Sequence, residues 1–244
     1  MSGRFGPVVL CYHAVTDGWE HALAVPPERL ERQVRSLLRR RFRPATAAEV
    51  AHGRGRLLHV TFDDAYTSVE RALPFLERAR VPATIFACSS YADDGRPLSV
   101  PELAAEAARL PHELETMTWD RLRAVAERGV EIGAHTVSHP HLPRLGDAEV
   151  ERELAESRER IESELGRPCR HLAYPYGEEQ PRIRALAERV GFEAAFALPG
   201  SRARPHRFAL PRAGLYRADG AARVFAKTSP LVDRFKPQAL PQPG

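Results

Sequence analysis

Leu57-Leu58-His59-Val60-Thr61-Phe62-Asp63-Asp64 is the stretch that decides how the rest of the chain is read. Its apolar residues Leu57, Leu58, Val60 and Phe62 predict a short buried strand. The strand ends in two adjacent carboxylates, and in a parallel α/β sheet the chemistry sits at the carboxyl ends of the strands. Neighbouring carboxylates repel, so both stay ionised only with a cation or strong donors between them. A second predicted strand, Val130-Glu131-Ile132-Gly133-Ala134, runs straight into His135-Thr136-Val137-Ser138-His139-Pro140. Two histidines four residues apart can aim at one point, from a helical turn or a tight loop. One carboxylate and two imidazoles form a three-ligand set that leaves positions open on a divalent metal. The other carboxylate is then free to act as a base on a water that the metal activates. Zn²⁺ suits this donor set, and Co²⁺, Ni²⁺ or Fe²⁺ could occupy it. Taken singly, Asp63-Asp64 would read as a turn or cap pair, and His135 and His139 as polar loop residues. Their joint occurrence after strands is what favours a metal site.

Outward from these strands, β and α patterns alternate. Val8–Tyr12 reads as a first strand with His13 at its end. Val81–Ala87, His171–Pro175, Phe192–Leu198 and Phe208–Pro211 read as further strands. Between them lie amphipathic helices. One carries Leu30, Val34, Leu37, Leu38 and Phe42, another Trp119, Leu122, Val125 and Ala126 after an N-cap at Thr118. A long charged helix, capped at Asp147, carries Val150, Leu154, Ile161 and Leu165. Its many Glu and Arg residues, Glu153 among them, read as a solvated face held by pairs three and four apart. Ser89–His112 reads as a surface excursion beside the mouth of the site, of the kind that sets substrate choice. About seven strands alternating with helices make a parallel sheet, open or closed into a barrel. His59 reads as structural, and His21, His52, His112 and His141 as exposed.

Three blocks taken together carry a resemblance: Thr61-Phe62-Asp63-Asp64, His135-x-x-x-His139-Pro140 and Ala173-Tyr174-Pro175-Tyr176-Gly177. In order and spacing they resemble the polysaccharide deacetylases, carbohydrate esterase family 4, from about Val8 to about Arg212. The resemblance implies a distorted, incomplete (β/α) barrel of about seven parallel strands. It implies removal of N-acetyl groups from a sugar polymer, oligosaccharide or glycoconjugate. Residue by residue, it implies Asp64, His135 and His139 as metal ligands and Asp63 as general base. The Tyr176 backbone N–H becomes the oxyanion donor, with Pro175 fixing its turn, and Tyr174, Pro175 and Tyr66 become substrate-binding residues.

The chain departs from the family pattern in four places. The usual C-terminal Leu-x-His is replaced by Ala209-Leu210-Pro211-Arg212, which leaves His206, His13 and His141 as candidates for the general acid. The Arg that opens the family's third motif is Ala173 here, and Arg212 could supply that charge to Asp63 from a neighbouring strand. The fourth motif, with its Asp and Trp, is absent. Ala65 stands where the family commonly has Gly. Tyr12-His13 at the start with Leu210-Pro211-Arg212 at the end is the pattern of a variant branch, in which His13 lines the site. Competing readings keep the metal and change the bond, to O-acetyl esters or a small non-sugar amide, or reduce the fold to a glycan-binding module.

Composition narrows the field. The 244 residues are 43% hydrophobic and 28% charged, enough for one domain with a sizeable core. Net charge is +4, and all but two of the 36 basic residues, Lys227 and Lys236, are arginines. These mostly alternate with Glu, which argues for an arginine-rich composition and against a nucleic-acid surface. Three scattered cysteines make no disulfide framework. No apolar run has the length of a signal peptide or a membrane span, so the expected location is cytoplasmic. The catalytic domain is expected over 1–227 and a Pro-rich tail over 228–244, with the oligomeric state open.

Overall fold

The protein is described as a computed structural model covering residues 6–198 and 206–229. Its elements, in order, are β1 (Val8–Tyr12), α1 (Pro27–Arg39), β2 (Arg43–Pro44), α2 (Ala47–His52), β3 (Leu57–Phe62), α3 (Leu73–Arg78) and β4 (Ala83–Ala87). There follow α4 (Ala104–Arg109), α5 (Pro111–Leu114), α6 (Trp119–Glu127), β5 (Glu131–Ala134), α7 (Asp147–Leu165), β6 (His171–Ala173), α8 (Pro181–Val190) and β7 (Ala194–Ala197). The last are β8 (Leu210–Pro211), β9 (Ala213–Gly214) and α9 (Ala221–Lys227).

The strands form one sheet in the order β8-β7-β6-β5-β4-β3-β1-β9, with β2 beside β3, and every pair is parallel. The described strands number nine rather than seven, because β2 and β9 are two-residue pieces with no periodicity to betray them. Closure comes from one short segment. Leu210-Pro211 pairs with β7 and Ala213-Gly214 pairs with β1, so residues 210–214 bridge the two edges of the sheet with Arg212 between them. The result is a distorted, nearly closed α/β barrel.

Side chains alternate across the strands as the two-residue period requires. On β3, Leu58, Val60 and Phe62 pack outward into the core shared with the helices, while Leu57 faces the barrel interior with Val9, Phe86, Ala173 and Phe196. The outer core carries most of the hydrophobic stabilisation. Val150, Leu154 and Ile161 of α7 are fully buried there, worth roughly 5–9 kcal/mol before conformational entropy is subtracted. Thr118 accepts from the Arg121 N–H as the N-cap of α6. The N-cap of α7, by contrast, is Gly146 rather than Asp147, and Glu149 reaches back to the Gly146 N–H.

The barrel interior is layered. At the amino end, the His59 Nδ1–H donates to the Ala45 carbonyl and Nε2 faces the Thr84 hydroxyl. Glu131 joins Thr84 to His171. Above this polar floor lie Phe86 and Phe196, their rings 5.7 Å apart. Gly133 makes room for Phe86, since a Cβ there would sit 2.5 Å from the ring. The carboxyl ends of the strands form the opposite mouth. The three cysteines are unpaired and buried, and no described helix is long and apolar enough to cross a membrane. Thr228 and Ser229 are buried at the end of α9, and the rest of the expected tail lies outside the described residues.

Candidate active site

Sequence neighbours on a strand point to opposite faces, so Asp63 and Asp64 would normally part company. Here Asp63 continues the inward register of β3, and the backbone turns left-handed at Asp64 (φ 68°) and Ala65 (φ 51°). That turn swings the second carboxylate back over the mouth. The β4–β5 ladder continues beyond the strands, through the His135 N–H to Ala87 and the Ser89 N–H to Thr136, and so carries the histidine loop to the same place. The loop also uses left-handed residues, Thr136 (φ 70°) and His139 (φ 61°). Such strain in residues with a Cβ clusters where function demands a particular aim.

Asp64, His135 and His139 converge. Nε2 of His135 lies 3.4 Å and Nε2 of His139 3.3 Å from the same oxygen, Asp64 Oδ1. All three are buried. The His135 Nδ1 sits 2.8 Å from the Ala173 carbonyl, which can only accept, so the proton belongs on Nδ1 and the Nε2 lone pair faces the carboxylate. Asp64 Oδ1 and His139 Nδ1 are buried without a hydrogen-bond partner among the described residues. Lone pairs aimed at a buried carboxylate repel it unless a cation or a proton lies between. The donor set and its orphaned atoms therefore fit a divalent metal. Burial raises the Asp64 pKa, and with protons between them and the carboxylate the two imidazoles overcome this and hold it well below the usual carboxylate range. Burial opposes protonation of His135, yet Asp63 and Asp64 together lift its pKa.

Asp63 lies beside this set with a different partner. Arg212 meets it in a two-pronged pair, one guanidinium nitrogen 2.6 Å from Oδ1 and the other 2.8 Å from Oδ2. Both residues are about 97% buried or more, at 3% and 2% exposure. The Arg212 charge keeps Asp63 below its ordinary pKa although burial pushes the other way. Arg212 also donates to Thr61 Oγ1, and its guanidinium lies over the Phe86 ring. Cys11 is in the barrel interior and directs its thiol at Asp63 Oδ2, 3.4 Å away.

His13 follows β1 on the same wall. A ring nitrogen of His13, Cys11 Sγ and an Asp63 oxygen all lie within 4.8 Å of one another, and His13 Nδ1 has no partner among the described residues. Burial lowers the His13 pKa. His206 is exposed on the amino side of β8, away from the mouth. His141, expected to be free in solvent, is tied by both ring nitrogens, Nδ1 to Glu178 at 3.0 Å and Nε2 to Glu102 at 3.2 Å. It stacks on Tyr176 at 3.7 Å between centroids.

Tyr176 adopts a left-handed conformation (φ 58°) in the tight turn Pro175–Gly177 that follows β6. Its ring meets that of His139 edge-on at 4.7 Å, and its hydroxyl donates to Glu102, which the excursion between β4 and α6 delivers to the mouth. Of the three residues expected to touch substrate, Tyr174 turns inward, while the hydroxyl of buried Tyr66 lies beside Asp64 without a hydrogen-bond partner among the described residues. Tyr174 is fully buried and its hydroxyl donates to the Phe208 carbonyl, because the side chain after β6 packs into the core. Tyr66 is fully buried against Trp19, and Pro175 is buried in the turn. Sequence reading did not connect Cys11 or Glu102 with the site, and neither carries a local signal that could have flagged it.

The sequence profile of the polysaccharide deacetylase family matches residues 51–195. A chitooligosaccharide deacetylase of Sinorhizobium fredii is 30% identical over 140 residues, 56% of this chain and 54% of that protein. YxkH of Bacillus subtilis, which bears the polysaccharide deacetylase name, is 23% identical over 205 residues, 80% of this chain and 66% of its own length. The chain thus spans between about half and two thirds of these curated relatives. Among solved structures, the Streptococcus pyogenes deacetylase PplD in complex with acetate superposes with a TM-score of 0.75 at 16% identity, covering 93% of this chain and 100% of that one. IcaB from Ammonifex degensii gives 0.72 at 24% identity, covering 93% and 98%. At these identities the superpositions establish the shared fold.

Proposed function

The chain belongs to the polysaccharide deacetylase family, and on that footing we propose that it is a metal-dependent hydrolase removing N-acetyl groups from a sugar polymer, oligosaccharide or glycoconjugate. The observation that carries this reading is the meeting of His135 and His139 on one oxygen of Asp64, with the Arg212-held carboxylate of Asp63 beside it. A divalent ion held by Asp64, His135 and His139, with Zn²⁺ the best fit to the donors, would supply Lewis acidity to water and to the acetyl carbonyl.

The remaining work falls to the chain. Asp63 takes the proton from the attacking water. The two-pronged Arg212 contact keeps that carboxylate ionised, and with the Cys11 thiol also on Oδ2 it is Oδ1 that keeps a lone pair to receive the proton. The N–H of Tyr176, a residue in the left-handed turn whose ring meets His139, donates to the oxyanion as the carbonyl carbon becomes tetrahedral. Such a donor is worth about 3 kcal/mol in the transition state. To His13, with a ring nitrogen within 4.8 Å of an Asp63 oxygen, we assign the relay that hands the proton Asp63 took from water to the leaving nitrogen, in place of the missing Leu-x-His.

The test is acetate release from N-acetylglucosamine oligomers by metal-stripped protein with Zn²⁺ or Co²⁺ restored. Release that depends on metal and disappears in Asp63→Asn is expected. Intact release in Asp63→Asn or His135→Ala would overturn the assignment. His13→Ala is expected to lower turnover while leaving metal binding unchanged.

A further inference from the structure

The helix α7 presents a row of glutamates, and Glu153 is the one that reaches the histidine loop. Glu153 is half-buried and turned toward the loop that joins His135 to His139. Its Oε2 accepts from the Val137 N–H at 2.9 Å and from the Ser138 N–H at 3.0 Å, and its Oε1 accepts from the Ser138 hydroxyl at 2.8 Å. Inside the loop, Thr136 Oγ1 accepts from the His139 N–H at 3.0 Å. Thr136 and His139 are the left-handed residues that give the loop its aim. Residues with a Cβ persist in that conformation only where their surroundings over-determine it. Glu153 makes no ion pair among the described residues, so its accepting capacity goes to this loop.

We propose that Glu153 is a positioning residue for the two-histidine half of the metal site. It clamps the backbone between the ligands so that both Nε2 atoms reach Asp64 Oδ1 at nearly equal distance. The clamp reaches across from a helix that packs on β5, so the loop is fixed to the barrel wall at its midpoint as well as at its strand end. Glu153 touches neither substrate nor the ligand atoms, and it acts through Val137 and Ser138. The inference rests on the metal-site reading above.

Two measurements test it. Zn²⁺ affinity, read by competition with a chromophoric chelator, is expected to fall about 10–100-fold in Glu153→Ala. Glu153→Gln, whose amide oxygen still accepts both N–H groups, should stay close to the parent, and Glu156→Ala on the exposed side of the same helix should match it. In metal-free protein, hydrogen exchange at the Val137 and Ser138 amides should be slow and should accelerate in Glu153→Ala. Parent-like Zn²⁺ affinity in a folded Glu153→Ala overturns the proposal. So does a Gln variant as weak as the Ala variant, which would assign the effect to charge. Should Glu153→Ala not fold, Glu153→Asp keeps the charge and shortens the reach, and parent-like binding by that variant overturns the clamp. A parent protein that binds no Zn²⁺ refutes the metal site itself, while the exchange measurement still decides the clamp.

Discussion

Removing Arg212 should expose how much of the barrel's stability resides in one buried ion pair. In Arg212→Met the side-chain volume is kept and the charge is lost. Asp63, at 3% exposure, is then left without its two charge-assisted bonds of 2.6 and 2.8 Å. Because both partners are buried, solvent does not screen the loss. Leaving one charge of a buried pair uncompensated costs about 3–5 kcal/mol. For a chain of this size each kcal/mol lowers Tm by roughly 2–4 °C, so the variant should melt about 6–20 °C below the parent. Urea unfolding of metal-free protein at pH 7 measures the free energy directly. Asp63→Asn strands the guanidinium in the same way, and the double variant Asp63→Asn/Arg212→Met strands neither. The two single costs should therefore overlap, with a coupling of about 2 kcal/mol or more in the double-mutant cycle. High salt should leave that coupling largely intact, since the pair is shielded from mobile ions. Strictly additive losses would refute the idea that Arg212 serves Asp63. A stable Arg212→Met would refute the claim that closure of the barrel and charge balance in its interior depend on the same residue.

Further outcomes can be checked on the same material. Zn²⁺ added at about 100 times its Kd should stabilise the protein by about 2.7 kcal/mol, a shift seen as a rise in Tm that is absent in Asp64→Ala or His139→Ala. Ala65→Gly should stabilise by about 1 kcal/mol, because Ala65 is held at φ 51° where a Cβ is strained, and a Tm unchanged or lowered would contradict this. Burial pushes His59 down to about 4 from an ordinary value near 6.5. The unfolded chain therefore binds its proton first, and stability complete above pH 6.5 should fall by about 3 kcal/mol as pH drops toward 4. His59→Gln should flatten that slope in urea titrations at pH 7 and pH 5.

What could be read without a structure was whatever local pattern encodes. The apolar run before Asp63-Asp64 and the stripe Val150, Leu154, Ile161 announce their elements because burial acts on periodicity. The third block likewise places Tyr176 after a strand, since turn chemistry is local. The ligand set Asp64, His135 and His139 was nameable because the three residues end two strands of one parallel sheet, where a common edge brings strand ends together. Tertiary structure alone decided what depends on contacts far apart in sequence. Cys11 reaches Asp63 from β1 with no local signal of that role, and Arg212, expected to supply charge to Asp63 from a neighbouring strand, does so as a two-pronged pair from the segment that closes the barrel. Glu153 has the sequence surroundings of its solvated neighbours and differs from them only in facing the histidine loop. Tyr174 packs into the core because an aromatic beside a motif can turn either way, and only packing selects the direction. The chain by itself determined a parallel α/β sheet with carboxylates and histidines at its strand ends, since those follow from short-range pattern, while the barrel and the choice of Asp64 came from the motif resemblance. Which charge meets Asp63, and which helix reaches the histidine loop, was decided by the tertiary structure, because free energy in a barrel interior depends on partners that only the closed sheet brings within bonding distance.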